Sequence, residues 1–144
     1  MTTTDTATDR PRTLVRWLLA AFLAVAGIGH FVATEEFLAQ VPPFLPWRTA
    51  IVYVSGVVEL AFAFALVALP RWRVLTGWLL AAFFVAILPG NIAQAVTGTA
   101  AFGLDSDAAR WGRLAFQPVL VAIALWSTAA VRDRDHLRRE DPRP

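Results

Sequence analysis

The chain has 144 residues, enough for one domain, and 57% of them are hydrophobic, above the roughly 45–50% of a soluble domain even with glycine counted. It carries 13 basic residues against 11 acidic ones, a formal net charge of +2, and every basic residue is arginine. Absence of cysteine excludes a disulfide framework and a thiol relay; the arginines stand at the ends of apolar segments rather than in a stripe, which argues against nucleic acid despite a pI near 10.4.

Residues 1–13 (MTTTDTATDRPRT) are polar and offer too little apolar surface to fold, so they read as a disordered tail. Residues 14–31 form the first apolar segment. A basic tail before such a run also describes a secretory signal, and Ala24-Val25-Ala26 resembles a cleavage site. A signal core is typically ~7–15 residues, whereas this run continues past the cut to Phe31, which favours a retained helix. Ala20, Ala24 and Gly27 are small and lie near one face, suited to close helix packing.

Residues 32–49 carry Pro42, Pro43 and Pro46, which forbid a continuous helix. Phe37, Leu38, Val41, Phe44, Leu45 and Trp47 are still too apolar for a loop in open water. The segment is expected at a membrane interface, with Trp47 and Arg48 anchoring the start of the second helix. That helix, residues 50–69, is about 30 Å long at 1.5 Å per residue and crosses a hydrocarbon core. It carries Glu59 at its centre, where a carboxylate costs roughly 2.5–3.5 kcal/mol on insertion scales and normally faces a bundle interior or a wet cavity. Ser55, Gly56, Phe62 and Ala63 share its face.

A tight basic turn, residues 70–73, leads to the third apolar segment, residues 74–95. Pro89 and Gly90 interrupt it, predicting a kink between Val85 and Pro89, with Asn91 and Gln94 following on one face. Residues 96–110 read as a loop. Residues 114–131 read as a fourth span with Gln117-Pro118 near its start, and residues 132–144 as a charged cytoplasmic tail in which His136 is a solvated side chain. The predicted fold is therefore an all-α membrane protein, a four-transmembrane-helix bundle over residues 14–131 between two tails. Ten arginines fall on one side of this topology and three (Arg48, Arg110 and Arg113) on the other, which predicts cytoplasmic N- and C-termini.

With that topology each helix places one polar residue in the outer half of the membrane. His30 ends the first helix, Glu59 lies about 14 Å deep, and Asn91 and Gln117 each lie roughly 9 Å in. The inner half is apolar apart from Thr76, Ser127 and Thr128. Such an asymmetry predicts a pocket that opens outward, with His30, Ser55, Glu59, Asn91 and Gln117 as its candidate ligand-binding residues. Taken singly, Asn91 and Gln117 also fit interhelical hydrogen bonding worth about 0.6–2 kcal/mol each, and His30 an interfacial side chain. One His and one acid on separate helices are too few for a metal, and no nucleophile–base pair, phosphate loop or dinucleotide fingerprint appears, so no catalytic residue is assigned.

The motifs GIGHF (27–31), VPPFLP (41–46), SGVVEL (55–60), LPGNIAQA (88–95) and RLAFQ (113–117), in this order and spacing, resemble the DoxX family of small bacterial membrane proteins over residues 17–130. The resemblance implies a four-helix protein of the bacterial inner membrane, associated with quinone-linked oxidoreductases, and its motif positions fall on His30, Glu59, Asn91 and Gln117. Three functions compete. The first is a membrane subunit that binds a quinone or similar lipid beside a redox-protein partner. The second is a non-catalytic scaffold or assembly factor, as a homo-oligomer or with a partner, and the third a small transporter. Quinone is the one cofactor this reading admits. The isolated chain leans away from being an enzyme.

Overall fold

The computed structural model describes residues 5–103 and 106–135; residues 1–4 and the distal tail with His136 lie outside them. Long apolar runs without period-2 alternation fold as helices, and every element among the described residues is helical. In chain order these are α1 (Asp5–Val32), α2 (Thr34–Leu38), α3 (Arg48–Ala68), a 3₁₀ turn (Pro70–Trp72), α4 (Arg73–Ala86), α5 (Leu88–Thr97) and α6 (Asp107–Ser127). Three stretches, Arg10–Val32, Arg48–Ala68 and Pro70–Thr97, are long and apolar enough to cross a membrane. Their outward faces carry Leu18, Phe22, Val25, Val54, Phe64 and Leu79, all exposed, as side chains against lipid would be. The 21-residue α6 packs against α1, α4 and α5, with Asp107, Arg110 and Arg113 in its first turns.

α1 begins at Asp5 rather than at Leu14, so part of the segment expected as a tail is helical. Extending an existing helix costs little per residue once it is nucleated, and the Arg12 guanidinium packs 5.5 Å from the centre of the Trp126 ring. The expected kink falls at Ile87, between α4 and α5, where Pro89 sits in the first turn of the new helix.

α1 and α3 approach most closely where glycine meets glycine. A β-carbon on Gly56 would lie 2.7 Å from His30 Cβ and 3.0 Å from the Gly27 carbonyl oxygen, and one on Gly27 would lie 2.8 Å from Leu60 Cγ. Only glycine permits this approach. The buried stripe of α3, Val52, Gly56, Glu59, Ala63 and Leu66, follows the helical repeat and faces its neighbours throughout.

Toward the arginine-rich end the interior is apolar apart from Thr76, Ser127 and Thr128. Leu19, Ala20 and Leu23 of α1 pack with Ala63 and Leu66 of α3, Leu80 and Phe84 of α4, and Leu120 and Ala124 of α6. That end is closed by the chain after α6. Thr128 Oγ1 donates to the Ala124 carbonyl at 2.7 Å and sits against Gly77, and Trp78 Nε1 donates to the Ala130 carbonyl at 3.3 Å. Asp133 accepts from Arg132 and from Arg73, the latter at 2.7 Å, and these bonds hold its carboxyl below the ordinary range. α6 stops at Ser127, short of Val131, because Ala130 N–H returns to Leu125 O at 2.9 Å and Ala129 N–H to Trp126 O at 3.1 Å. This helix-ending motif needs a left-handed residue, and Ala129 supplies it at φ 56°. Glycine there would remove the strain, so Ala129→Gly should stabilise the fold by about 0.5–1 kcal/mol, measured by thermal unfolding in detergent. A variant no more stable than wild type would contradict this account of the turn.

Candidate functional site

Buried polar side chains gather at the opposite end. His30, Glu59, Asn91, Gln94, Arg110 and Gln117 are all buried there, on four different long helices. The Gly27–Gly56 contact brings the last turn of α1 against the middle of α3, so His30 Nδ1 lies 3.5 Å from Glu59 Oε2. The imidazole is oriented by its own helix. Nδ1 is 2.8 Å from the Ala26 carbonyl, an atom that can only accept, so Nδ1 carries the proton. The ring stacks on Phe37 with centroids 3.7 Å apart. With Nδ1–H committed to Ala26, Glu59 Oε2 is buried beside the imidazole and accepts no hydrogen bond from the protein.

A cavity of about 360 Å³ opens beside this pair, within the usual range of roughly 300–1,000 Å³ for small-molecule sites. Its polar lining comes from His30, Ser55, Glu59, Asn91, Gln40 and Arg113. Its apolar walls come from the Pro-rich segment, through Phe37, Val41, Pro42, Phe44 and Leu45, and from Phe83, Ile87 and Pro89 at the α4–α5 break. Asn91 Nδ2, like Glu59 Oε2, is buried without a hydrogen-bond partner. An unpaired buried donor or acceptor costs about 1–3 kcal/mol, so a pocket that keeps both gains by meeting a ligand that satisfies them.

The structure thus brings four of the five sequence candidates, His30, Ser55, Glu59 and Asn91, to one cavity. Gln117 is buried nearby on α6, and its Oε1 has no partner, but it does not line the cavity. Arg113, four residues earlier and on the same face of α6, lines the cavity instead.

Sequence reasoning counted Arg113 only as an outer-side charge. Its Nη2 donates to Gln40 Oε1 at 2.5 Å and its Nη1 to Gln94 Oε1 at 3.2 Å, and its guanidinium lies 5.4 Å from the Phe102 ring centre. It therefore ties α6 to α5 and to the segment over the cavity. The signal was present in the spacing: Arg113 and Gln117 are four apart and share a helix face.

The Pro-rich segment is folded over the cavity and stapled in place. Arg48 donates to the Leu38 carbonyl at 2.6 Å, which also accepts from Val41 N–H, and to the Val41 carbonyl at 2.9 Å, so one guanidinium holds two points of the segment's backbone. On its far side Glu36 Oε2 accepts from Phe102 N–H at 2.5 Å, and Phe102 meets Phe37 edge-on with centroids 4.8 Å apart. Phe37 is thereby held between His30 and Phe102. Among the described residues no three His, Cys, Asp or Glu side chains are grouped to hold a metal ion.

No curated protein and no solved structure matches the chain. A family model does match, over residues 19–128, a stretch that contains every residue lining the cavity. The chain belongs to that family, described as a domain of unknown function (DUF8561).

Proposed function

We propose that this is a four-helix integral protein of the bacterial cytoplasmic membrane that binds a lipid-soluble ligand with a polar head, a quinone in the simplest case, as a non-catalytic subunit beside a redox partner. The observation that carries the reading is the cavity itself: apolar walls for a ring and tail, and at its floor an unpartnered carboxylate oxygen and amide nitrogen beside His30. A quinone carbonyl accepts from Asn91 Nδ2 or Arg113, and a quinol hydroxyl donates to Glu59. The resemblance to the DoxX family leads to the same class of ligand. The sequence distribution of arginine, ten on one side of the expected topology and three on the other, favours cytoplasmic termini and a cavity that opens outward. Among the described residues the apolar packing of Leu23, Leu66 and Leu80 below the cavity offers no polar route, which speaks against transport.

Lipid extraction and mass analysis of gently purified protein tests the reading. Wild type should carry a quinone, and Glu59→Gln, which keeps the side-chain shape and loses the proton site, should carry about tenfold less, as expected for one hydrogen bond to a charged or ionisable group. No quinone in either, with co-purifying proteins instead, would replace this reading with that of a scaffold.

A further inference from the structure

A second cavity, of about 470 Å³, lies at the arginine-rich end of the molecule, far from Glu59 along the helices. Its lining is sharply divided. Ala122, Leu125, Trp126, Ala129 and Val131 make an apolar wall at the end of α6, and Arg12 of α1 and Arg132 make a cationic edge.

The two arginines differ in what they already hold. Arg132 is engaged by Asp133, at 2.8 Å through Nε. Arg12 Cζ lies 5.5 Å from the centre of the Trp126 ring, a cation–π contact that uses none of its N–H groups. Its Nε and Nη1 are shielded from solvent and have no hydrogen-bond acceptor. A guanidinium beside an aromatic ring, with N–H donors at Nε and Nη1 that meet no acceptor among the described residues, can donate to phosphate oxygens. Asp133, the acid paired with Arg132, also pairs with Arg73. A free phosphate would use the cationic edge and leave the apolar wall empty; a phospholipid uses both.

We propose that this cavity is a binding site for an anionic phospholipid, its phosphate taken by Arg12 with Arg132 beside it and an acyl chain laid along Leu125, Trp126 and Val131. The site is separate from the outer cavity and does not depend on what that cavity holds. It gives the arginine-rich end a specific lipid contact in addition to its general attraction to an anionic leaflet.

The test uses full-length protein in detergent, supplied with equal amounts of phosphatidylglycerol and phosphatidylcholine, with retained lipid counted by native mass spectrometry. Wild type should retain phosphatidylglycerol in preference to phosphatidylcholine, and Arg12→Gln should retain about fivefold less of it, the effect of one interfacial arginine. Ala122→Phe, at an exposed wall position, narrows the cavity while leaving both arginines in the sequence and should give a similar loss, so the outcome does not hang on how well the Arg12 variant folds. Excess inorganic phosphate should leave retention unchanged. Equal retention of the two lipids, or undiminished phosphatidylglycerol in both variants, would overturn the proposal. Displacement by inorganic phosphate would make the ligand a free anion and overturn the lipid assignment.

Discussion

Gly56→Ala should destabilise the protein by about 1–3 kcal/mol, although alanine is the better helix former. The added methyl would stand 2.7 Å from His30 Cβ and 3.0 Å from the Gly27 carbonyl oxygen, and neither atom belongs to the flexible end of a side chain. Relief requires α1 and α3 to separate, and that separation also pulls His30 away from Glu59. Gly112→Ala is the matched comparison. Gly112 is also helical, but a β-carbon there meets nothing within 4 Å, so only helix propensity acts and the variant should gain up to about 1 kcal/mol. Thermal unfolding of both in the same detergent measures the contrast. A Gly56→Ala protein as stable as wild type would mean that the α1–α3 contact is not the one described.

The second large effect is expected at Arg113. Arg113→Ala removes two hydrogen bonds, to Gln40 and to Gln94, and the contact with Phe102. Bonds to a charged donor contribute about 1.5–3 kcal/mol each, so the segment over the cavity should open at least tenfold more often. Amide hydrogen exchange reads this at Gln40 and Val41, whose N–H groups are bonded to Phe37 and Leu38 in the folded segment. Arg113→Lys keeps the charge but cannot reach both amides with a fixed fork, so its exchange should fall between the two. Unchanged exchange in Arg113→Ala would show that the segment is held by Arg48 and the aromatic stack alone.

Much of this could be read from the chain because membrane helices announce themselves by length and composition. The apolar runs, the break before Pro89 and the clustering of His30, Glu59 and Asn91 in one half follow from hydropathy, proline chemistry and a 1.5 Å rise. What escaped depends on contacts between residues distant in sequence. The helical state of residues 5–13 is accompanied by Arg12 meeting Trp126, more than a hundred residues on. The early end of α6 rests on an alanine in a left-handed conformation, which composition disfavours and only the surrounding packing sustains. Gln117 shares a face of α6 with Arg113, and position along the helix does not say which of the two side chains reaches the cavity; it is Arg113 that does. The Glu36–Phe102 bond joins two segments that hydropathy treats as unrelated loops.

The central claim is that the cavity beside Glu59 receives a lipid-soluble ligand, and site mapping with a photoreactive quinone tests it most directly. After illumination of the full-length protein in membranes, labelled peptides should fall within residues 37–45 and 83–91, the two walls of the cavity, and labelling should be suppressed by excess unmodified quinone and in Glu59→Gln. Labels spread over the lipid-facing positions Val25, Val54 and Phe64, with no suppression by unmodified quinone, would contradict it.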